Sequence, residues 1–177
     1  MQALDFYCQK ALEMGMNGAK LIAPHSVATA PWVRMKCQFG CPEFGKRLTC
    51  PPHTPTPDQT RKIIDSYEKA ILLHFQYQRA RDKERSRGVS LNETVVRLEG
   101  EMFLDGYYKA WGMGGGFCRL CKECDPTGLC RHGSEARPSM EACGIDVYKT
   151  ARDNEFRIEP VRTHEDERNF YGLILAK

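Results

Sequence analysis

The fold is decided by the stretch from Thr56 to Tyr77, which reads TPDQTRKIIDSYEKAILLHFQY. Thr56 is followed by a proline and, three residues on, by Gln59, which is the pattern of a capping box with proline at the first helical position. We therefore expect a helix that runs to about Lys69. The apolar and aromatic run from Ala70 to Tyr77 is typical of a strand. The stretch predicts a helix that leads directly into a strand.

A second capping box, Ser90 with Glu93, predicts another helix that continues toward Tyr108. One face of this helix repeats apolar residues at intervals of four, three and four: Leu91, Val95, Leu98 and Met102. Periodicity and Gly or Pro boundaries predict further elements: a helix over 2–14, a strand over 19–23, partial helix over 138–153 and a closing strand over 170–175. Together these predict an α+β fold, a single compact domain over 1–177 with a small sheet of three or four strands, helices packed on it and cysteine-rich metal-binding loops. The strand order does not follow from the sequence.

The composition limits the class of protein. With 177 residues, of which 41% are hydrophobic and 28% charged, the chain has the make-up of one globular domain. The N-terminal residues show no signal peptide, and no apolar run approaches the roughly 20 residues that cross a bilayer. The net charge of +3 is too small to indicate a nucleic-acid partner. We expect a cytoplasmic protein with no membrane partner; its oligomeric state stays open.

Eight of the nine cysteines fall into two groups. The first group has the spacing Cys-x3-Cys-x8-Cys before two prolines, and the second has Cys-x2-Cys-x2-Cys-x5-Cys with one more cysteine downstream. In a reducing compartment such density indicates metal ligands rather than disulfides. The triple at two-residue intervals also matches the start of the bacterial ferredoxin pattern. The candidate metal ligands are Cys37, Cys41, Cys50, Cys118, Cys121, Cys124, Cys130 and Cys143.

Eight thiolates are enough for two [4Fe-4S] clusters. In the simplest division the run from Cys118 to Cys130 binds one cluster, and the other four cysteines bind the second. An exchange of Cys130 with Cys50 or Cys143 is nearly as plausible, and a cluster with three thiolates and an open iron is a third option. We expect both groups on irregular loops, the first of them after Pro31 has interrupted regular structure. Zinc held by four thiolates is the alternative cofactor.

The leading functional hypothesis is an iron-sulfur protein that exchanges single electrons with a redox partner protein. It rests on the two cysteine groups and on the lack of any recognisable set of catalytic residues in the sequence. A second hypothesis is a cluster-bearing enzyme whose open iron binds a small-molecule ligand, and a third is a zinc-stabilised interaction module. Whether the protein is an enzyme is left open.

Several residues near the cysteines are candidates for contacts with a cluster or an anion. Arg34 and Lys36 precede the first group, where a surface strand is the plainer explanation. Arg137 lies near Glu141 and a predicted helix start, where a network of caps and ion pairs explains it equally well. The basic run Arg79 to Arg87 is expected to be a solvated loop, with docking of an acidic partner as the alternative.

The glycines before the second group are a further candidate, because successive backbone N–H groups can form an anion-binding nest. These are Gly114, Gly115 and Gly116, for which a flexible turn is the equal alternative. His53 and His132 each lie within three residues of a candidate ligand and are expected beside the metal or on the surface. Cys8 lies on the apolar stripe of the first helix and is expected to be a buried thiol.

Several strings of this sequence, in order, resemble one family. They are Trp32-Val-Arg-Met-Lys-Cys37-x3-Cys41-Pro-x2-Gly45, Leu48-Thr-Cys50-Pro-Pro52, Gly114-Gly-Gly-x-Cys118-x2-Cys121-x2-Cys124 and Arg137-Pro-Ser-Met-Glu-Ala142-x-Gly144-Ile-Asp-Val147. The chain resembles the prokaryotic family of domain of unknown function 2284, predicted metal-binding proteins, from about Trp32 to Thr150. The resemblance implies metal binding and a prokaryotic, often anaerobic, setting. It implies ligand roles for the six cysteines of these strings, whereas Cys130 and Cys143 rest mainly on the count.

Overall fold

The computed structural model describes residues 2–77, 90–163 and 165–177. The basic run Arg79 to Arg87 lies outside the described residues. The helices are α1 (Leu4–Glu13), α2 (Pro31–Gly40), α3 (Pro57–Ile64), α4 (Leu91–Leu104) and α5 (Val147–Asp153). The strands are β1 (Gly18–Ile22), β2 (Lys69–Tyr77), β3 (Trp111–Met113) and β4 (Arg168–Ala176). Among these helices none is long and apolar enough to span a bilayer.

The four strands form one antiparallel sheet in the order β1-β2-β4-β3. The central pair is long, because β2 and β4 pair along their whole length from Lys69↔Ala176 to Tyr77↔Arg168. The α+β prediction is confirmed: helices pack on a small sheet in one compact domain. The sequence did not predict the order of the strands. The two central strands, β2 and β4, are far apart in the chain, with α4, β3, the second cysteine group and α5 between them.

The sheet is buried on both faces, which explains why β2 reads as a continuous apolar run rather than an alternating one. Ile71, Leu73 and Ile174 face one side, where they pack against α1 and α4. Leu72 and Leu173 face the other side, where they pack against the segment from Met140 to Ala151. Because side chains alternate along a strand, each strand contributes to both cores. The second of these cores adjoins the cysteine-bearing segments.

Both predicted capping boxes are confirmed. The hydroxyl groups of Thr56 and Ser90 accept hydrogen bonds from the backbone N–H groups three residues on, and the glutamine and glutamate there bond back. Each helix is shorter than predicted. α3 ends at Ile64, where backbone bonds from Ser66 and Tyr67 close the last turn, and α4 ends at Leu104, where Gly106 takes a left-handed φ of +100°.

The prediction that the first cysteine group lies wholly on a loop is wrong. Pro31 begins helix α2 instead of interrupting structure, because proline is favoured at the first helical position, where its missing N–H is not needed. Cys37 therefore lies within the last turns of α2 and Cys41 caps its C-terminus. Arg34 and Lys36 lie on the same helix and not on the surface strand that was expected.

The glycine run after α4 does not begin as a turn. Gly112 lies in β3, and its N–H donates to the Glu99 carboxylate at 2.8 Å. An added Cβ at Gly112 would lie 2.4 Å from Val95 Cγ1 and 2.9 Å from Glu99 Oε2. Glycine is required here because α4 crosses the edge of the sheet in close contact with the backbone of β3.

A pair of glycine-to-alanine variants tests this close approach. Gly112→Ala should lower the free energy of unfolding by about 1–3 kcal/mol, because the methyl group overpacks the contact between α4 and β3. Gly100→Ala, in α4 with no atom within 4 Å of the added Cβ, should raise it by about 1 kcal/mol through helix propensity. Denaturant unfolding followed by circular dichroism measures both. Equal effects of the two substitutions would contradict the packing described here.

Candidate metal centres

The second cysteine group forms one site. Cys118, Cys121, Cys124 and Cys130 all line a single cavity, together with Arg47, Thr49 and His132. The first three thiols are partly exposed and Cys130 is exposed. The four cysteines therefore line one small cavity that opens at the surface. We call this cavity and its four cysteines the second centre.

Local hydrogen bonds shape the segment that carries these cysteines. Gly114 N donates to Pro138 O at 2.9 Å, which brings the two ends of the segment together. Between Cys124 and Cys130 the Asp125 carboxylate accepts from the backbone N–H of Thr127 at 2.9 Å and from its hydroxyl at 2.6 Å. This turn reverses the chain, so that the fourth cysteine returns toward the first three.

A buried ion pair anchors the end of the segment. The guanidinium of Arg137 donates twice to the carboxylate of Glu99, at 2.7 Å each, and also to Ala136 O at 2.9 Å. The side chains of Arg137 and Glu99 are only 15% and 11% exposed. Sequence reasoning missed Glu99, although it lies four residues after Val95 and so on the buried face of α4. A lone acid on an otherwise apolar face was the available signal.

Arg47 is the cation of the second centre, and sequence reasoning missed it too. Its guanidinium lies 5.0 Å from the ring of Phe117, pairs with Glu43 at 2.5 Å and donates to Cys121 O at 3.5 Å. Burial acts to lower the pKa of Arg47, but the bond to Glu43 and the charges of Cys118 and Cys124 raise it overall. The side chain is therefore a permanent positive charge beside the thiols. Its position between two candidate ligands in the sequence was the signal.

The first cysteine group forms a separate site, which we call the first centre. Burial raises the pKa of the Cys50 thiol to about 11, and the neighbouring Cys41 and Cys37 add to the shift. Burial and then Cys41 likewise raise the pKa of Cys37, which Arg34 opposes. The three thiols thus act on one another electrostatically, and as thiolates they would repel one another. Such mutual repulsion is relieved when a cation binds between them.

Cys143 is placed differently from the other candidates. It is 0% exposed and belongs to the apolar core beneath the sheet. Burial raises the pKa of its thiol to about 12, against the opposing charge of Arg34. It lies in the short 3₁₀ turn Glu141–Cys143, which packs against α2, and Cys37 Sγ lies 3.9 Å from Glu141 O. Cys143 therefore lies behind the first centre, on the side of the core.

The carboxylate of Glu141 adds an oxygen atom to this region. Its Oε2 is buried and has no hydrogen-bond partner among the described residues. Burial raises the pKa of this carboxyl, and hydrogen bonds from its own backbone and from Ser139 oppose the shift. Glu141 acts electrostatically on the Cys37 and Cys143 thiols, so its unpartnered oxygen is a candidate donor for a cation at the first centre.

The two centres are neighbours. Thr49 lines the cavity of the second centre, and the next residue, Cys50, belongs to the first. Because Thr49 and Cys50 are consecutive residues, the two centres adjoin each other at this loop. The loop between Cys41 and Cys50 therefore contributes to both.

The other candidate residues are held by contacts within the fold. Arg34 donates to Thr54 Oγ1 at 3.3 Å and to Pro55 O, and the N–H of Gly115 donates to Asn92 Oδ1 at 2.9 Å. Gly116 takes a φ of +70°, and Lys36 is exposed on α2. Cys8 is buried in α1, as expected.

The donor set fits a metal centre of soft character. Thiolates select iron-sulfur clusters, zinc and copper(I) over hard cations, and the second centre offers four of them with a neighbouring arginine. Within the described residues, no three His, Cys, Asp or Glu side chains are arranged as the ligands of one metal ion. By residue type, the candidate donors are the two groups of thiols together with Glu141.

The buried thiol of Cys143 should make the stability of the metal-free protein fall at high pH. Its folded-state pKa is about 12 and its ordinary value 9.0, so its contribution is complete below pH 9 and is lost as the pH rises toward 12. Over that interval the unfolded chain has lost a proton that the folded chain retains, which gives a slope of about −1.4 kcal/mol per pH unit. The free energy of unfolding, measured with urea from pH 9 to 11, should fall less steeply with pH in Cys143→Ala than in the unsubstituted protein, by this amount per pH unit. Parallel curves for the two proteins would rule out the buried, protonated thiol.

Comparison with known proteins agrees with this donor set. The chain matches the family described as "Predicted metal-binding protein (DUF2284)" over residues 20–176. No curated protein and no solved structure matches it. The match extends the resemblance expected from Trp32 to Thr150 at both ends and includes all eight candidate ligands. The chain therefore belongs to this family of predicted metal-binding proteins.

Proposed function

We propose that the protein binds two [4Fe-4S] clusters and exchanges single electrons with a redox partner in the cytoplasm. The observation that carries this proposal is the second centre, where four thiols line one cavity beside Arg47. Cys118, Cys121, Cys124 and Cys130 are the ligands of one cluster, and Cys37, Cys41, Cys50 and Cys143 are those of the other. A bound cluster of this kind supplies one-electron redox chemistry.

The electrostatics of the second centre support a cluster that carries negative charge. Arg47 is positioned by its ion pair with Glu43 and its contact with the Phe117 ring. The guanidinium of Arg119 lies 4.7 Å from the centroid of the same ring. Fixed cations stabilise thiolates and any further negative charge that arrives on reduction. Thr49 and Cys50 are consecutive residues, and such adjoining centres would favour electron passage between the two clusters.

A second candidate concerns the first centre alone. Cys143 is fully buried in the core, whereas Cys37, Cys41 and Cys50 are electrostatic neighbours of one another. A cluster on these three thiolates would have an iron without a thiolate ligand, where Glu141 or a substrate could bind. This arrangement would make the protein a cluster-bearing enzyme. A zinc-stabilised module is the alternative that lacks redox chemistry.

Metal and sulfide analysis of protein purified without oxygen is the primary test. We expect about eight irons with matching sulfide per chain, since each four-iron cluster contributes four of each. Cys121→Ala should remove one cluster and Cys41→Ala the other, while Cys8→Ala, which changes a thiol of the α1 core, should leave the content unchanged. Retention of both clusters in Cys143→Ala would favour the three-thiolate first centre. Zinc without sulfide would refute the iron-sulfur proposal.

The charge of Arg47 should set the reduction potential of the second centre. Removing a cation a few ångströms from the thiols disfavours the added electron, so Arg47→Gln should lower that potential by about 50–100 mV. Arg47→Lys keeps the charge and should shift the potential much less. Redox titration of each variant in the Cys41→Ala background isolates the second centre. The same potential in the Gln and Lys variants would mean that the charge of Arg47 does not act on the cluster.

A further inference from the structure

A cavity of about 310 Å³ adjoins the second centre. Leu48, Thr49 and Cys130 line this cavity and the cysteine cavity alike. The two spaces thus share a wall, and a molecule in the larger one would touch the residues that bound the metal centre. Its volume lies at the lower end of the range of about 300–1,000 Å³ that is usual for small-ligand sites. We call it the side cavity.

The walls of the side cavity are fixed by two arginines that do not line it. Arg34 donates to Thr54 Oγ1 and Pro55 O on one wall, and Thr54 in turn donates to Ala142 O at 2.5 Å. Arg137, clamped by Glu99, donates to Gly133 O and Ala136 O on the other wall. The cavity is therefore preformed, and binding would cost little ordering of the chain.

The lining is uncharged. Among the described residues that form it, none is an acid, a lysine or an arginine: Leu48, Thr49, His53, Thr54, Pro55, Trp111, Cys130, Gly133, Ala136 and Pro138. Apolar surface comes from Leu48, Pro55 and the indole of Trp111, which β3 holds at the edge of the sheet. An indole offers a flat face for stacking, and its N–H is a hydrogen-bond donor.

Polar side chains in the lining are few, and two of them, Thr49 and Cys130, also line the second centre. The imidazole of His53 and the thiol of Cys130 line the side cavity, as does Thr49. The Thr49 hydroxyl lies close enough to Cys50 to lower the pKa of that thiol, yet within the described structure it is buried and makes no well-formed hydrogen bond. A predominantly apolar pocket with a few convergent polar groups is the general form of a small-molecule site.

We propose that the side cavity binds a small, uncharged, planar molecule with hydrogen-bond acceptors, which stacks on Trp111 and contacts His53, and which contacts Cys130 at the wall shared with the second centre. The absence of charged side chains from the lining gives an ionic ligand no charge-assisted hydrogen bond there. The flat indole selects for planar ones. This binding goes beyond electron exchange with a protein partner and does not require that the cysteines hold iron.

Duroquinone is a suitable probe, because it is uncharged and planar, carries two carbonyl acceptors and is fully substituted, so that it adds poorly to thiols. Trp32→Phe leaves Trp111 as the single tryptophan, and Trp32 is 48% exposed, so its replacement should not disturb the fold. Titration of this oxidised, metal-loaded protein should quench Trp111 fluorescence saturably, with one site by calorimetry. Terephthalate, a planar six-membered ring that carries two carboxylates, should bind at least 10-fold more weakly.

Two cavity variants and one control locate the site. Ala136→Leu fills the side cavity and should weaken duroquinone binding at least 10-fold, whereas Ala3→Leu, at an exposed position before α1, should leave it unchanged. His53 is exposed, so His53→Ala should fold normally and also weaken binding, which keeps the test decisive if Ala136→Leu is unstable. Quenching that is linear in duroquinone, or equal in all variants, would overturn the proposal. So would equal affinity for the dicarboxylate.

Iron and sulfide measured on the same samples separate this inference from the proposed function. Saturable binding by a protein that contains no iron would refute the clusters while the side cavity stands. A protein with two clusters and only collisional quenching would refute the side cavity while the clusters stand.

Discussion

The backbone of residues 139–146 must find hydrogen-bond partners in the interior, and the way it does so joins the two cysteine segments to each other. Met140 N donates to Gly114 O, at the start of the second segment, while Ala30 N donates to Gly144 O just before helix α2, which bears Cys37. Asp146 N then donates to Ala28 O. Buried N–H and C=O groups without partners are costly, so this short connection is held at both ends. The relative position of the two centres follows from it.

The elements that could be predicted are those whose signals are local. Both capping boxes and the apolar run of β2 depend on neighbours in the chain, and the structure agrees with them. The α2 helix was missed because a proline such as Pro31 can either interrupt regular structure or begin a helix. The local sequence does not distinguish these two roles. The strand order was beyond local reasoning altogether, since β2 and β4 are joined by residues about a hundred positions apart.

The same contrast holds for the candidate centres. The spacing of Cys118, Cys121 and Cys124 implied that they would converge, and they line one cavity with Cys130. The burial of Cys143 and the place of Arg47 beside the second centre depend on how separate segments pack, which spacing does not encode. Arg137 illustrates the difference: the sequence left an anion and a local network of caps and ion pairs equally open, and its partner is Glu99, an acid on a helix nearly forty residues earlier.

The order of the strands has a consequence for how the protein matures. β4 is a central strand, yet every cysteine precedes it in the chain. During synthesis all nine thiols leave the ribosome before the sheet that organises them can close, because β2 and β3 both wait for β4 as their neighbour. The nascent chain thus passes through an interval in which its thiols are accessible and its core is open. Oxidation or capture of the wrong metal is most dangerous in that interval, so the supply of cofactor and a reducing environment matter most while the last strand is being made.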